Sequence, residues 1–222
     1  MCGRYTLISN QEKIRERFEI ENEFEYEQPK YNIAPTENVL AVIRNGSKNH
    51  AGYLKWGLIP SWSNDKKSSF NMINARSETA HQLPSFKKLM SRKRCLIVAD
   101  SFYEWKKGSE DKRPERIQTV GEDLFAFAGL FDTWRDGEEI VHSCTILTKE
   151  SDEFMQQIHP RMPIILPKKD ENTWISQSFN NEFEAQEFIR NIDNHNLSSY
   201  TVSNHVNYVR NKDINCIEAI EK

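Results

Sequence analysis

Two apolar runs, LFAFAGLF at residues 124–131 and IVHSCTILT at residues 140–148, stand on either side of the dipeptide Asp136-Gly137. A continuous apolar run of this length is typical of a buried strand. An Asp-Gly pair is a strong signal for the tight turn of a β-hairpin. The sequence therefore predicts a hairpin within residues 124–148.

A second hairpin and a further strand are predicted upstream. Residues 39–43 and 53–56 flank Asn45-Gly46, and their separation favours a turn longer than two residues. Residues 95–99 form a continuous apolar run that fits a buried strand, and residues 102–105 prolong it beyond a bend. Strands are thus expected through the middle of the chain.

Helical patterns lie towards both ends of the chain. A capping-box signature at residues 9–12 predicts a helix over residues 10–19, and proline in a first turn predicts one over residues 84–92. The remaining expectations are helices at 170–177 and 181–192, a strand at 199–202, and loops at 21–35 and 108–115. No repeat or long linker interrupts this order, so the pattern predicts one α+β domain.

The composition is typical of a cytosolic protein. The 222 residues suit one domain with a sizeable core, and 28% of them are charged. No apolar run approaches the roughly 18 residues that a membrane-spanning helix needs, and the first ten residues hold no apolar segment of a secretory signal. We therefore expect a cytoplasmic protein that does not bind membranes.

Charge is unevenly distributed along the chain, although the net charge is only −3. Residues 12–27 carry three basic and seven acidic side chains, a local charge of −4. Residues 87–107 carry seven basic and two acidic side chains, a local charge of +5. A basic face on an acidic body suits a narrow anionic partner such as single-stranded nucleic acid, with a solvated helix face as the alternative.

The four cysteines, Cys2, Cys95, Cys144 and Cys216, are widely and unevenly spaced. Their spacing matches neither a zinc ligand set nor a disulfide framework. Cys95 and Cys144 lie inside apolar runs, so we expect both to be buried strand residues. No metal ion or organic cofactor is indicated.

Cys2 is different, because removal of Met1 would leave a free amine and a thiol on one residue. Such a 1,2-aminothiol can act as an N-terminal nucleophile with its own base. It can also condense with an aldehyde to an imine, which the thiol closes into a thiazolidine ring. An α-amino group titrates near 7.7–8.0 and a thiol near 8.5, so both reactive forms exist near neutral pH. The alternative is an ordinary small residue behind a retained methionine.

Two titratable residues stand in settings that favour proton transfer. Glu104 lies between aromatic residues in FYEW at residues 102–105, where its carboxylate would be partly desolvated. His159 lies on a segment stiffened by Pro160 and Pro163. A solvent-facing glutamate at a strand edge is the alternative for Glu104.

Two further segments carry groups that suit an anionic ligand. Asn74 can donate and accept hydrogen bonds, and Arg76 can bind a phosphate or a carboxylate through its planar fork. The alternative for this segment is a capped helix start. Trp56 and Trp62 flank a Gly/Pro bend, where an exposed indole could stack on bases. For Trp56 we expect burial in the core instead.

Six segments occur in an order that closely resembles the SOS response-associated peptidase (SRAP) family. They are MCGRY at 1–5, YNIAPT at 31–36, WGLIP at 56–60, NARSET at 74–79, SFYEW at 101–105 and HPRMP at 159–163. The resemblance covers residues 2–166 and weakens across the extension at 167–222. It implies one domain over residues 1–222 with a β-barrel-like core of mixed or antiparallel strands flanked by short helices.

The resemblance also implies an activity, the covalent capture of abasic sites in single-stranded DNA. A ring-opened abasic sugar carries the aldehyde that an N-terminal aminothiol attacks. By resemblance, Cys2 forms the Schiff base and then the thiazolidine, and Glu104 assists proton transfer at the imine. His159 matches the family's general acid for opening the sugar ring, and Asn74 matches the residue that holds Cys2 and the sugar.

DNA contacts are implied by resemblance at further positions. Those expected to contact phosphates or other groups of the strand are Arg4, Arg76, Arg161 and Thr148. Trp105 is expected to line the channel, and Pro35 and Trp62 to form a wedge that splays the strand. Binding through phosphates should tolerate any sequence and weaken with salt. We expect a monomer associated with the nucleoid when it is on DNA.

Three alternatives to this function remain open from the sequence. N-terminal-nucleophile amidohydrolases also begin with Met-Cys-Gly, but their downstream asparagine and glycine segments are not evident here. Thiol proteolysis by Cys2, His159 and Asn74 could remove Met1. A DNA-binding module without catalysis would retain its function after Cys2→Ala.

Overall fold

Thirteen β-strands and six short α-helices are present in the computed structural model, which describes residues 2–26, 29–106, 113–193 and 196–220. The strands are β1 (Tyr5–Leu7), β2 (Lys30–Ile33), β3 (Asn38–Asn45), β4 (Lys48–Trp56), β5 (Asn74–Arg76), β6 (Arg94–Ala99), β7 (Ser101–Trp105), β8 (Pro114–Thr119), β9 (Phe125–Asp136), β10 (Glu139–Glu150), β11 (Arg161–Pro163), β12 (Ile165–Leu166) and β13 (Leu197–Thr201). The α-helices are α1 (Gln11–Arg17), α2 (Ser77–Ala80), α3 (Lys87–Arg92), α4 (Glu153–Gln156), α5 (Lys168–Ile175) and α6 (Glu182–Arg190).

Five strands close into a barrel in the order β10-β4-β3-β6-β9, and β9 pairs again with β10. In the β9–β10 hairpin Asp136 pairs with Glu139, so the chain turns at Gly137 and Glu138, as the Asp-Gly signal predicts. The β10–β4 pairing is parallel and the other four are antiparallel, so the sheet is mixed. The α+β class and the barrel-like core are confirmed.

The β3–β4 hairpin has a shorter turn than the sequence predicts. Asn45 pairs with Lys48, which leaves only Gly46 and Ser47 between the strands. Gly46 takes a φ of 60°, a left-handed conformation that suits glycine in a two-residue turn. The prediction of a longer turn is wrong because polar residues beyond the apolar runs continue the strand pairing.

A second, antiparallel sheet has the order β13-β8-β7-β1-β2. The chain passes from barrel strand β6 into β7 of this sheet at Asp100. The Asp100 carboxylate holds this bend by accepting hydrogen bonds from the Thr6 hydroxyl and the Ile8 amide. The predicted continuation beyond a bend is therefore confirmed, and the bend is what carries Glu104 out of the barrel.

Two loop predictions are wrong because polar segments form strands of the second sheet. β2 lies within the loop expected at 21–35, and β8 begins at Pro114 within the loop expected at 108–115. Residues 108–112 of that second loop lie outside the described residues. The pairing partners of both strands come from distant parts of the chain, β1 for β2 and β7 with β13 for β8.

The predicted helices are present with shifted ends. Asn10 caps α1 by accepting from the Lys13 amide at 2.8 Å, and Asn181 caps α6 by accepting from Phe183 and Glu184. α3 begins at Lys87, whereas Pro84 lies in the preceding turn. The expected burial of Trp56, Cys95 and Cys144 is confirmed, because each is 0% exposed. No helix in the described part of the chain is long and apolar enough to cross a membrane.

Candidate active site at the N-terminal cysteine

The last residues of β10 run past the barrel and bring two short strands together. β5 pairs in parallel with residues 146–148, and β11 pairs antiparallel with residues 148–150. Thr148 therefore lies between Arg76 of β5 and Pro163 of β11. This three-stranded end of the sheet gathers Asn74, Arg76, Thr148 and Arg161, which are far apart in the sequence.

The N-terminal segment reaches the same place along β7. Tyr5 pairs with Phe102, and the Tyr103 amide donates to the Arg4 carbonyl at 2.9 Å. The Asn74 side-chain amide donates to the Cys2 carbonyl at 2.8 Å. Cys2 is therefore held between the end of β7 and the start of β5.

The Cys2 side chain is fully buried. Its Sγ lies 3.9 Å from the Arg4 carbonyl oxygen. Burial raises the pKa of the Cys2 thiol well above its usual range, and the negative charge of Glu104 raises it further. The sulfur is therefore a neutral thiol at neutral pH in this state of the chain.

Glu104 and Asn74 supply polar groups next to Cys2. Glu104 is only 3% exposed, so the alternative of a solvent-facing strand-edge glutamate is wrong. The Oδ1 atom of Asn74 is buried and has no hydrogen-bond partner among the described residues. A buried acceptor without a partner costs about 1–3 kcal/mol, which a bound hydroxyl or amine would recover.

His159 is 8% exposed and lies two residues before Arg161, at the start of β11. His159 Nδ1 lies 3.0 Å from both the amide nitrogen and the carbonyl oxygen of Arg161, so a contact with Arg161 orients the ring in either tautomer. The Ser151 hydroxyl donates to the His159 carbonyl at 2.7 Å. The histidine is thus held at the same end of β10 as Asn74.

Arg161 is engaged within the protein. Its guanidinium donates to both carboxylate oxygens of Glu78 at 2.6 and 2.9 Å, and to the Thr148 hydroxyl at 3.1 Å. Desolvation raises the pKa of Glu78, but hydrogen bonds led by that from Arg161 outweigh it, and the pKa falls below its usual value. Thr148 is itself fully buried and donates to the Ala75 carbonyl at 3.4 Å.

Arg4 is bound by the C-terminal segment. It donates to Asn32 Oδ1 at 3.0 Å and to the carbonyls of Val206 at 2.7 Å and Asn207 at 3.3 Å. The Trp105 indole N–H donates to Asn207 Oδ1 at 2.7 Å. Neither Arg4 nor Trp105 is therefore a free surface group.

The remaining predicted DNA contacts are more open. Arg76 is exposed, Pro35 is partly exposed, and Trp62 is 63% exposed on the loop after β4. The same loop carries Phe70, which is 68% exposed and was missed because no aromatic pattern marks it. Glu78 was missed as well, since the sequence does not show that it pairs with Arg161.

Three of the seven basic residues of the segment at 87–107 are engaged within the protein, and for the others the cationic face stays a prediction. Lys87 pairs with Glu182 at 3.2 Å and Lys93 with Asp132 at 2.7 Å. Arg94 is 3% exposed and donates to the carbonyls of Met90 and Trp174. The charges of these three residues are spread between ion pairs and the core.

Three potential metal ligands meet in the C-terminal segment, away from Cys2 in the sequence. The ligand atoms of His205, Asp213 and Cys216 lie within 4.8 Å of one another. His205 Nε2 is already 3.0 Å from Asp213 Oδ2, and Cys216 Sγ is 3.5 Å from the Asn211 carbonyl. Hydrogen bonding within the segment therefore accounts for this group. All four cysteines are free.

The fold and the site define a barrel protein of the α+β class whose second residue, a cysteine, is hydrogen-bonded to an asparagine and lies near a buried glutamate. Residues 1–209 match the family described as SOS response associated peptidase (SRAP). The chain belongs to that family.

Curated relatives of the chain are named for abasic sites. Abasic site processing protein YoqW of Bacillus subtilis is 43% identical over 224 residues, covering 99% of this chain and 100% of the relative. Abasic site processing protein HMCES of Xenopus tropicalis is 32% identical over 225 residues, covering 87% of this chain and 67% of the relative.

Solved structures share the fold. A protein from Bacteroides thetaiotaomicron superposes with a TM-score of 0.85 at 21% identity, over 99% of this chain and 100% of that one. A phage-related protein from Bordetella bronchiseptica superposes with a TM-score of 0.72 at 30% identity, over 90% of this chain and 94% of that one.

Proposed function

We propose that this protein processes abasic sites by capturing them covalently in single-stranded DNA through Cys2. The observation that carries the proposal is the hydrogen bond from Asn74 to the Cys2 carbonyl beside the buried Glu104. It holds the N-terminal residue inside the domain, next to groups that can move protons. The names of the relatives support the same substrate, and YoqW matches this chain over 99% of its length.

The proposed chemistry needs the free amine that removal of Met1 provides. The Cys2 amine attacks C1 of the ring-opened abasic sugar and water leaves, which gives an imine. The thiol sulfur then bonds to the same carbon, and the thiol proton passes to nitrogen. The product is a thiazolidine that links the protein to the DNA strand.

Each neighbour of Cys2 has a role in this proposal. Glu104 accepts and returns protons at the imine, which its buried carboxylate is placed to do. His159 acts as the general acid that opens the sugar ring. Asn74 positions Cys2 through Nδ2, and its unpartnered Oδ1 accepts a hydrogen bond from the sugar or the amine.

We also propose that the protein binds the strand as a monomer. It would do so in the cytoplasm, where it associates with the nucleoid. Arg76 contacts phosphate directly, and Trp62 with Pro35 splays the bases. Four further residues contribute only after contacts with DNA replace their hydrogen bonds within the protein: Arg161, Thr148, Arg4 and Trp105. Affinity that depends on phosphates falls as salt rises and carries no sequence preference.

A second activity, removal of Met1 by the Cys2 thiol itself, is favoured by the family's description as peptidases. The thiol would attack the Met1 carbonyl, the Met1–Cys2 peptide bond would break, and the thiol proton would pass to the released Cys2 amine. Water would then hydrolyse the thioester, which releases methionine and restores the thiol. Mass spectrometry tests this directly. Cys2→Ser purified from a host lacking methionine aminopeptidase should retain Met1, whereas the native sequence should lose it.

One assay tests the main proposal. The Met1-processed protein is mixed with single-stranded DNA that carries one abasic site, and adducts are counted on a denaturing gel after heating. We expect a stable adduct, its loss in Cys2→Ala, and protection when the sugar aldehyde is first reduced with borohydride. Glu104→Gln and His159→Ala should slow adduct formation without abolishing DNA binding.

Two results would refute covalent capture by Cys2. One is an adduct that forms equally with Cys2→Ala, and the other is an adduct with undamaged DNA of the same sequence. Retention of full function by Cys2→Ala would instead identify a binding module without catalysis.

A further inference from the structure

A cleft of about 670 Å³ opens beside the candidate active site. Its walls are α2, the end of β10 and α6, so the C-terminal extension supplies one side. Ser77 of this cleft follows Arg76, and Lys149 follows Thr148. The cleft therefore begins where the residues proposed to bind phosphate end.

Two cations line the cleft. Lys149 donates to the Ile192 carbonyl at 3.3 Å, which leaves other ammonium hydrogens to bind a ligand. Arg190 is exposed in the last turn of α6. Two carboxylates, Glu78 and Glu150, also face the cleft, but Glu78 is neutralised by Arg161. With the Glu78–Arg161 pair counted as neutral, the lining side chains carry a net charge of +1, and Asp152 and Asp193 act on Lys149 from outside the lining.

Two buried polar atoms at the cleft have no hydrogen-bond partner among the described residues. They are Nδ1 of His81 and Oε1 of Gln186. Gln82 Nε2 lies 3.0 Å from His81 Nε2 and donates to it, so a neutral His81 carries its proton on Nδ1. The cleft thus presents one unsatisfied donor and one unsatisfied acceptor, the pair that the edge of a nucleobase satisfies.

An aromatic surface stands next to these atoms. The ring of His81 lies 5.6 Å from the ring of Phe183, measured between centroids. Phe183 is 61% exposed in the first turn of α6. An exposed aromatic ring is a platform on which single-stranded nucleic acid stacks its bases.

We propose that this cleft binds a nucleotide of the DNA strand that flanks the abasic site at Cys2. Phe183 stacks on the base, His81 Nδ1 and Gln186 Oε1 contact its edge, and Lys149 with Arg190 bind its phosphate. The inference rests on the proposed function and extends it, because it makes α6 part of the DNA-binding surface.

The test uses the processed full-length protein and fluorescent oligonucleotides with a tetrahydrofuran residue, an abasic analogue that cannot crosslink. Two series are shortened one nucleotide at a time, one from the 5′ end and one from the 3′ end, and affinity is measured by anisotropy. In the native protein, one series should show a rise in affinity: an oligonucleotide long enough to reach the cleft should bind more tightly than the one that is one nucleotide shorter. Phe183→Ala and Arg190→Gln should remove about 5-fold or more of that rise and leave the other series unchanged.

Salt dependence gives an independent readout. Arg190→Gln should lower the slope of log affinity against log salt by about 0.7, the value for one phosphate contact on a single strand. The control variants lie outside the cleft, at an exposed cation and an exposed apolar side chain: Lys168→Gln and Ile140→Ala. Both controls should behave like the native protein in every series.

The outcomes separate this inference from the proposed function. If Phe183→Ala and Arg190→Gln bind every oligonucleotide as tightly as the native protein, while Cys2-dependent crosslinking is intact, the cleft is not a DNA subsite. If free dAMP displaces the oligonucleotide at equal concentration, the cleft is a mononucleotide site instead. Failure of the native protein to crosslink abasic DNA would refute the proposed function itself.

Discussion

Tyr5 carries a buried hydroxyl for which the protein offers no hydrogen-bond partner among the described residues. Its ring is well packed, with centroids 5.3 Å from Trp56 and 5.7 Å from Phe127. Because an unsatisfied buried hydroxyl costs about 1–3 kcal/mol, Tyr5→Phe should raise the free energy of unfolding by about 1 kcal/mol. Urea denaturation of both proteins measures this difference.

Tyr103 provides the matched control for Tyr5. It is equally buried, but its hydroxyl is placed to donate to the Tyr31 carbonyl at 2.9 Å and the Cys216 carbonyl at 3.1 Å. Tyr103→Phe should therefore lower the free energy of unfolding by about 1 kcal/mol. Equal destabilisation by the two substitutions would show that the Tyr5 hydroxyl has a partner after all.

The Glu78 carboxylate accepts the two hydrogen bonds from the Arg161 guanidinium that a phosphate would otherwise accept. Glu78→Gln removes the competing charge and frees Arg161, so affinity for single-stranded DNA should rise about 3- to 10-fold, as expected for one added charge-assisted contact. Anisotropy with the tetrahydrofuran oligonucleotide measures it. The pair is partly exposed, so its own loss should change stability by less than about 1 kcal/mol.

The sign of the change decides the role of Glu78. Weaker DNA binding by Glu78→Gln would mean that the carboxylate orients Arg161 rather than blocks it. The matched control is Glu150→Gln, which removes a neighbouring carboxylate that is not bonded to Arg161. It should raise affinity by less than Glu78→Gln does.

The sequence was enough to select the candidate site residues, but it did not reveal which partners their side chains contact. Residue types and local settings were enough to select Cys2, Asn74, Glu104 and His159 as candidates, and the burial of Glu104 follows from its aromatic neighbours. The engagement of Arg161 and Arg4 was not predictable. Their partners stand 83 and 202 positions away in the chain, and no local pattern connects them.

At the scale of elements, the barrel depends on close contact between β6 and β9. A methyl group added at Gly129 would lie 2.7 Å from Cys95 Sγ and 2.9 Å from Ile97 Cδ1. Such overpacking typically costs 1–3 kcal/mol, so Gly129→Ala should lower the free energy of unfolding by about that amount. Denaturant titration of the single variant measures the loss.

A double variant shows whether the sulfur contact is the cause. Cys95→Ala removes the closest atom, so Gly129→Ala should cost less in that background than in the native protein. Strict additivity of the two changes would assign the cost to Ile97 or to the backbone. As a control, Gly52→Ala adds a methyl group in β4 where nothing lies within 4 Å.

Hydrophobic runs in the sequence reveal some strands of the fold and miss others. Barrel strands β3, β6, β9 and β10 are apolar enough to be found from hydrophobic runs. β2 and β8 contain charged and polar residues and become strands because they pair with β1 and β7. Tertiary pairing of this kind overrides local propensity, and a single sequence does not display it.

For the whole molecule, buried thiols predict a loss of stability in alkaline solution. Burial raises the pKa values of Cys2, Cys95 and Cys144 above the usual range for a thiol. In the unfolded chain these thiols ionise near about pH 8.5, so above that pH the folded state binds more protons than the unfolded state. Stability is then fully present below about pH 8.5 and falls as pH rises, by about 1.4 kcal/mol per pH unit for each thiol.

Urea midpoints between about pH 7 and about pH 10 would check this dependence. Cys95→Ala with Cys144→Ala removes two of the three thiols, so the variant should be less stable at neutral pH but lose stability more slowly with rising pH. An unchanged slope in that variant would contradict the assignment to buried thiols.

The contact between Arg4 and the Val206 carbonyl joins positions that are 202 residues apart. A ribosome adds about 5–20 residues per second, so residue 4 is made at least ten seconds before residue 206. During that interval Arg4, two residues after Cys2, lacks its carbonyl partners. These partners arrive only when residues 206 and 207 have been made, so the segment that carries Cys2 waits for a distant part of the chain before it is fixed in place.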